Sequence, residues 1–254
     1  MKTETNQPDR CEFFMLSRDE LSGLDTTPQY PYPIGSRLST FNSYLEHANP
    51  IVELICRVLS TSLGLPPSTF FEKQSPASKS GTLIRLIKYP AAASAADRRT
   101  SLLPHTDMGT ITLLAGVLGG IQILRPSRST NNEVEEVWEY IKPEPKCLIV
   151  NMGDAMVQWT GGVLRSNVHR VTYPPEAQAK HDRYSVAYLI RASSDVTMRK
   201  LRGGRVPDDK VEESHEDEDI LAGEWERKKN MALISGKDCA RSTGGKPMKG
   251  EKRT

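Results

Sequence analysis

Residues 101–124 read SLLPHTDMGTITLLAGVLGGIQIL, and the fold turns on how this stretch divides. Thr110–Ala115 is a β-branched and aliphatic run too short for a helix. Gly119-Gly120 follows as a turn, and a second short run, Gly120–Leu124, begins at once. Short apolar runs broken by turn residues are the pattern of strands buried in a sheet. Outward from this stretch the pattern recurs at Thr82–Tyr89, Glu135–Ile141, Cys147–Asn151, Ala155–Thr160, Val168–Tyr173 and Arg183–Arg191. Asn131-Asn132, Gly153-Asp154, Gly161-Gly162 and Pro174-Pro175 mark turns between them. About eight closely spaced strands without helical insertions predict a sandwich or barrel.

The flanks differ in character. Asn49 followed by Pro50 reads as an N-cap with proline at the first helical position. Ile51, Leu54, Ile55, Val58, Leu59 and Leu63 then recur at helical spacing until Gly64 and Pro66-Pro67 stop the helix. One apolar stripe means one buried face, so this helix must lie on something larger. Residues 1–80 are therefore read as a helical support, 81–200 as the β domain and 201–254 as an appendage. In the appendage Asp208–Asp219 carries eight acids against one lysine, and Gly223–Thr254 nine bases against four acids. An amphipathic helix is expected around Asp219–Met231. Ser235–Thr254 has almost nothing to bury and is expected to be disordered.

With 254 residues and 37% hydrophobic content, the chain can build a sizeable core. Its 34 basic and 32 acidic side chains leave a net charge of +2, which makes no general case for nucleic acid or membrane as a partner. Cys11, Cys56, Cys147 and Cys239 are far apart, contain no CxxC, and read as reduced thiols. The opening MKTETNQPDR lacks the apolar core of a signal peptide, and no stretch approaches a membrane span. The expected setting is cytoplasmic and reducing.

Chemistry is sought first among the five histidines. In a strand, positions i and i+2 share a face, so His105 and Asp107 of His105-Thr106-Asp107 are expected to project together. His169 lies on a later strand of the same domain. Two histidines and one carboxylate on one face of a metal, with the other face open, are the ligand set of non-haem Fe(II) oxygenases. The spacing alone is weak, since His215-Glu216-Asp217 also fits it inside the acidic run EESHEDEDI and reads there as a solvated face. Downstream of His169, Arg183-Tyr184-Ser185 again places two side chains on one strand face. An arginine directed into a barrel needs an anionic partner, and its planar fork takes a carboxylate in two hydrogen bonds.

Three segments together, SLLPHTDMGTITLLAGVLGGIQIL (101–124), CLIVNMGDAMVQWTGGVLRSNVHRVTYPP (147–175) and DRYSVAYLIR (182–191), resemble the 2-oxoglutarate/Fe(II)-dependent dioxygenases of the isopenicillin-N-synthase-like family. The likeness is close over Thr82–Ala192 and looser over Asn49–Glu72 and Glu224–Lys229. It implies a mainly β protein with flanking helices around a double-stranded β-helix, or jelly roll. It implies that His105, Asp107 and His169 bind Fe(II), and that Arg183 and Ser185 hold the distal carboxylate of 2-oxoglutarate, with Tyr89 as a further co-substrate contact. Tyr89's usual companion in the family, an asparagine two residues earlier, is Ile87 here. O2 is the implied oxidant, with ascorbate stimulatory. The implied reaction is oxidation of a small organic substrate, a secondary metabolite, by hydroxylation, desaturation or ring closure.

Other residues read as architecture or as pocket candidates. Asn151 and Asp154 are expected to stabilise a tight turn, and Arg170, which adjoins His169, is read as architecture, with a contact to that ligand as the alternative. Trp159, Gln158, Met108, Leu103 and Tyr188 are candidates for the substrate or for the core. The linker Ala91–Arg98 is expected to loop over the site mouth. Family members usually carry an additional N-terminal segment, and CEFFMLSRDEL matches only its end, so the barrel is expected to lack a flanking strand. Pairing into a homodimer is one way to cover the exposed edge. Three alternatives remain at this level: a non-catalytic binding module, an oxidase that does not use 2-oxoglutarate, and an oxygenase acting on nucleic-acid bases.

Overall fold

The computed structural model describes residues 10–92, 94–128, 134–208 and 220–234. The acidic run with His215 and the basic stretch Ser235–Thr254 lie outside the described residues. Among the described residues nine strands form two antiparallel sheets: β1 (Glu12–Ser17), β2 (Leu83–Tyr89), β3 (Leu102–His105), β4 (Ile111–Gly116), β5 (Ile121–Arg128), β6 (Val134–Tyr140), β7 (Ile149–Met152), β8 (His169–Val171) and β9 (Arg183–Ile190). One sheet runs β1-β2-β9-β4-β7 and the other β3-β8-β5-β6. Side chains from both sheets line one cavity, which makes the pair a jelly roll with the cavity between its layers.

β9 shows how the sequence builds this arrangement. Arg183, Ser185, Ala187 and Leu189 face the cavity, while the intervening Tyr188 and Ile190 join the main hydrophobic core on the outer side. That core also holds Ile84, Ile111, Leu113 and Trp159, and it is closed by helix α1 (Leu38–Ser62) through Leu45, Ala48, Val52 and Cys56. The larger sheet is thus covered on both faces, which is why its strands carry apolar residues on both sides and read as largely hydrophobic runs.

Helix α1 departs from expectation at its start and in its buried face. Pro50 lies inside the helix rather than at its first turn. Proline there removes only the bond to the Glu46 carbonyl, and both residues are exposed, so water replaces the lost donor. Asn49 is no cap: its Oδ1 accepts a hydrogen bond from the Tyr188 hydroxyl at 2.9 Å. Ile51, Leu54 and Val58 are exposed, and the buried stripe runs instead through Leu45, Ala48, Val52 and Cys56.

Two further corrections concern strands. Ala155–Thr160 is helical, as part of α2 (Asp154–Thr160). Nearly every residue of α2 is buried, so it has no polar face to display a helical period, and Gly161 ends it in the left-handed region at φ 59°. β1 emerges from a stretch not read as a strand, and β3 ends at His105, short of the Asp107 that the strand reading included. β1 pairs with β2 along its whole length, from Glu12 opposite Lys88 to Ser17 opposite Leu83, and so fills the edge expected to be bare. A last helix, α3 (Ala222–Ile234), starts three residues later than expected. Among the described residues no helix is long and apolar enough to cross a membrane.

Candidate metal centre

The end of β3 and the start of β8 lie side by side, with His105 opposite His169 in the ladder. Their rings are 4.3 Å apart, centroid to centroid, and each is fixed by its own strand. Nδ1 of His105 donates to the Leu103 carbonyl at 2.8 Å, and Nδ1 of His169 to the Asn167 carbonyl at 3.1 Å. A carbonyl can only accept, so the proton sits on Nδ1 in both rings and each Nε2 keeps a free lone pair. Burial, then the neighbouring His169, lowers the His105 pKa to about 4, which holds that ring neutral.

Asp107 completes the group by a route other than strand alternation. β3 ends at His105, and Asp107 lies in the turn beyond it. Its Oδ2 accepts from Thr112 Oγ1 at 2.7 Å and Asn151 Nδ2 at 2.9 Å, two side chains paired across β4 and β7. Oδ1 is left pointing at the imidazoles, 3.9 Å from His105 Nε2 and 3.8 Å from His169 Nε2. Burial pushes the carboxyl up, but the two histidines and the two donors outweigh it and hold it below the usual range. The three ligand atoms lie within 4.8 Å of one another, the one such grouping among the described residues. Their free atoms fit a divalent cation: two neutral nitrogen donors and one anionic oxygen, each oriented from behind.

The turn carrying Asp107 is gripped by α2. Asp154 N donates to the Asp107 carbonyl at 2.7 Å and Ala155 N to that of Gly109 at 3.1 Å. The approach is so close that a Cβ on Gly153 would stand 2.2 Å from the Gly109 oxygen. The Asp154 carboxylate accepts from Thr106, between the two ligands, and from Ser166 and Lys229. Asn151 and Asp154 therefore hold the ligand turn rather than merely shape their own. The Asn-x-Gly-Asp spacing signalled them, but their partners lie more than forty residues away.

At the far end of the same cavity, of about 210 Å³, stand Arg183, Ser185 and Tyr89. Arg183 is buried; its Nε donates to the Gly119 carbonyl at 2.9 Å and its Nη1 to Ser185 Oγ at 3.2 Å. Its guanidinium lies 5.2 Å from the centre of the Tyr89 ring. No carboxylate among the described residues pairs with it. Arg170, by contrast, donates to Gln122 Oε1 at 2.8 Å and lies over Trp138, so it does not touch a metal ligand. Trp159 and Tyr188 belong to the core, and the described residues of 91–98 do not line the cavity.

Residues 81–192 match the 2OG-Fe(II) oxygenase superfamily. The chain is 29% identical over 232 residues to the 2-oxoglutarate-dependent dioxygenase frbH of Dothideomycetidae sp. (strain 11243), covering 87% of this chain and 69% of that protein. It is 30% identical over 199 residues to the 2-oxoglutarate-dependent dioxygenase iboH of Amanita muscaria, covering 75% of this chain and 93% of that one. The chain belongs to the 2OG-Fe(II) oxygenase superfamily. The crystal structure of a full-length Neurospora crassa protein in complex with alpha-KG and thymine superposes on this oxygenase with a TM-score of 0.69 at 23% identity, covering 89% of this chain and 66% of that chain, and shares its fold. The superfamily uses Fe(II) and 2-oxoglutarate, and the cavity of this oxygenase holds both the His-Asp-His group and the Arg183 guanidinium.

Proposed function

We propose that the chain is a non-haem Fe(II)- and 2-oxoglutarate-dependent dioxygenase in which His105, Asp107 and His169 hold the iron and Arg183 and Ser185 hold the distal carboxylate of 2-oxoglutarate. One observation carries the reading: a buried guanidinium with no carboxylate partner among the described residues closes the cavity that the His-Asp-His group opens. Residues 81–200 carry this chemistry, 1–80 contribute β1 at the sheet edge and α1 on its outer face, and 201–254 contribute α3.

Each residue's part follows from its surroundings. The Leu103 and Asn167 carbonyls hold each imidazole by Nδ1, so both Nε2 atoms are the ones turned toward the metal position. Thr112 and Asn151 occupy one Asp107 oxygen and thereby present the other. Arg183, braced by Gly119 and Ser185, offers its remaining donors to a carboxylate, and Tyr89 supplies a ring face behind it. Leu114, Ile121 and Ile149 line the space between and exclude water from it. With the iron bound, O2 converts 2-oxoglutarate to succinate and CO2 while a small organic substrate, here read as a secondary metabolite, is oxidised.

Anaerobic titration with Fe(II) and 2-oxoglutarate tests this without knowledge of the substrate. A visible charge-transfer band should appear only when both are present, vanish in His105→Ala, and require far more 2-oxoglutarate in Arg183→Ala. Absence of the band from the wild type would sink the reading.

A further inference from the structure

Three charged side chains line the cavity: Arg85, Asp107 and Arg183. Only Arg85 has no part in the reaction just described. On β2 it faces inward with Ile87 and Tyr89, opposite Ala187 of β9. Its guanidinium stands 5.1 Å from the centre of the Phe13 ring, and Nη2 reaches Met15 Sδ at 3.6 Å. Nε is buried and has no hydrogen-bond partner. No carboxylate among the described residues forms an ion pair with Arg85.

Phe13 and Met15 lie opposite Ile87 and Arg85 in the β1–β2 ladder, so they stand on the cavity side of the sheet. Yet they are 54% and 47% exposed. Neither is part of the cavity lining; they lie on the edge strand beside the Arg85 guanidinium, so an exposed apolar surface adjoins that cation.

Charge accounting leads to the same place. In the loaded site, the ion's two positive charges and that of Arg183 are matched by Asp107 and the two carboxylates of 2-oxoglutarate. Arg85 remains uncompensated near the metal end, and its buried Nε is a donor without a partner, which is costly. An anion offsets that cost, and the planar fork matches a carboxylate.

We propose that Arg85 is the specificity-determining anchor for a primary substrate carrying a carboxylate on an apolar body, with Phe13 and Met15 as the seat for that body. The inference rests on the oxygenase reading, and its test separates the two.

The full chain is loaded with Mn(II), which occupies the site without turnover, and with 2-oxoglutarate. It is then titrated calorimetrically with phenylacetate, 3-phenylpropionate and cyclohexylacetate, each against its own primary amide. At least one acid should bind about tenfold or more tighter than its amide. Arg85→Gln should abolish that preference, Arg85→Lys should keep part of it, and both should bind 2-oxoglutarate within about twofold of the wild type. Equal binding of acids and amides, no binding of any acid, or a preference that survives in Arg85→Gln overturns the proposal. So does loss of 2-oxoglutarate binding in Arg85→Gln, which would place the residue in the co-substrate site. Failure of the wild type to take up 2-oxoglutarate sinks the oxygenase reading instead, and the acid–amide comparison on the metal-free chain then decides the role of Arg85.

Discussion

Asp107 divides its two oxygens between different partners: one is tied down by Thr112 and Asn151, the other faces two imidazoles. Removing a tie frees the carboxylate to rotate away from the ligand position. Asn151→Ala should therefore weaken Mn(II) binding by about 10- to 100-fold, the usual effect of losing a hydrogen bond that orients a metal ligand. Thermal stability should fall by no more than about 1–3 kcal/mol. Titration of Mn(II) alongside a thermal melt checks both, and unchanged metal affinity would contradict this role for Asn151. The two ligands of the His-x-Asp spacing were legible in the sequence because they are neighbours in it. Their restraint was not, because the contact between Asp107 and Asn151 spans 44 residues and no local pattern records it. Strand alternation is not what brings His105 and Asp107 together, since the strand stops at His105 and the carboxylate returns from the segment beyond it.

The β runs were legible for a simple physical cause: strands covered on both faces need apolar residues throughout, and turns between them need glycine, asparagine or proline. α2 was misread by the same logic, since a short helix buried all round shows no polar period. α1 was misread because Asn49-Pro50 satisfies a local rule that the longer helix overrides. The observed position of Pro50 makes a prediction that separates the two readings. At a first turn, proline is favourable, and Pro50→Ala would be neutral or harmful. Inside an exposed helix face, the same change restores a backbone bond and relieves a clash, so it should stabilise the protein by about 1–2 kcal/mol after allowance for the more flexible unfolded chain. A shift of the urea midpoint to higher concentration is the expected result, and a shift to lower concentration would place Pro50 at a helix start.

Across the molecule, the C-terminal helix is joined to the metal centre by one charge pair. Lys229 of α3 reaches Asp154 at 2.7 Å, and Asp154 in turn accepts from Thr106, the residue between two ligands. Asp154 is buried while Lys229 is partly exposed, so the pair is stronger than a surface bridge but partly screened. Lys229→Met should cost about 1–2 kcal/mol of stability and speed release of Mn(II), both measurable on one preparation. Unaltered metal release would show that α3 packs without steadying the site. Nothing in the sequence paired these residues, because a lysine in a basic C-terminal stretch reads as solvated.

β9 sets the orientation of everything else. Arg183, Ser185, Ala187 and Leu189 face the cavity while Val186, Tyr188 and Ile190 pack into the outer core, so sliding the strand by one position would point Tyr184 inward and push Arg183 out of the cavity. A misassembled chain could not retain a fraction of its turnover; it would lose anion capture and packing in a single stroke. Catalytic competence in a purified sample is therefore also a certificate of correct strand alignment.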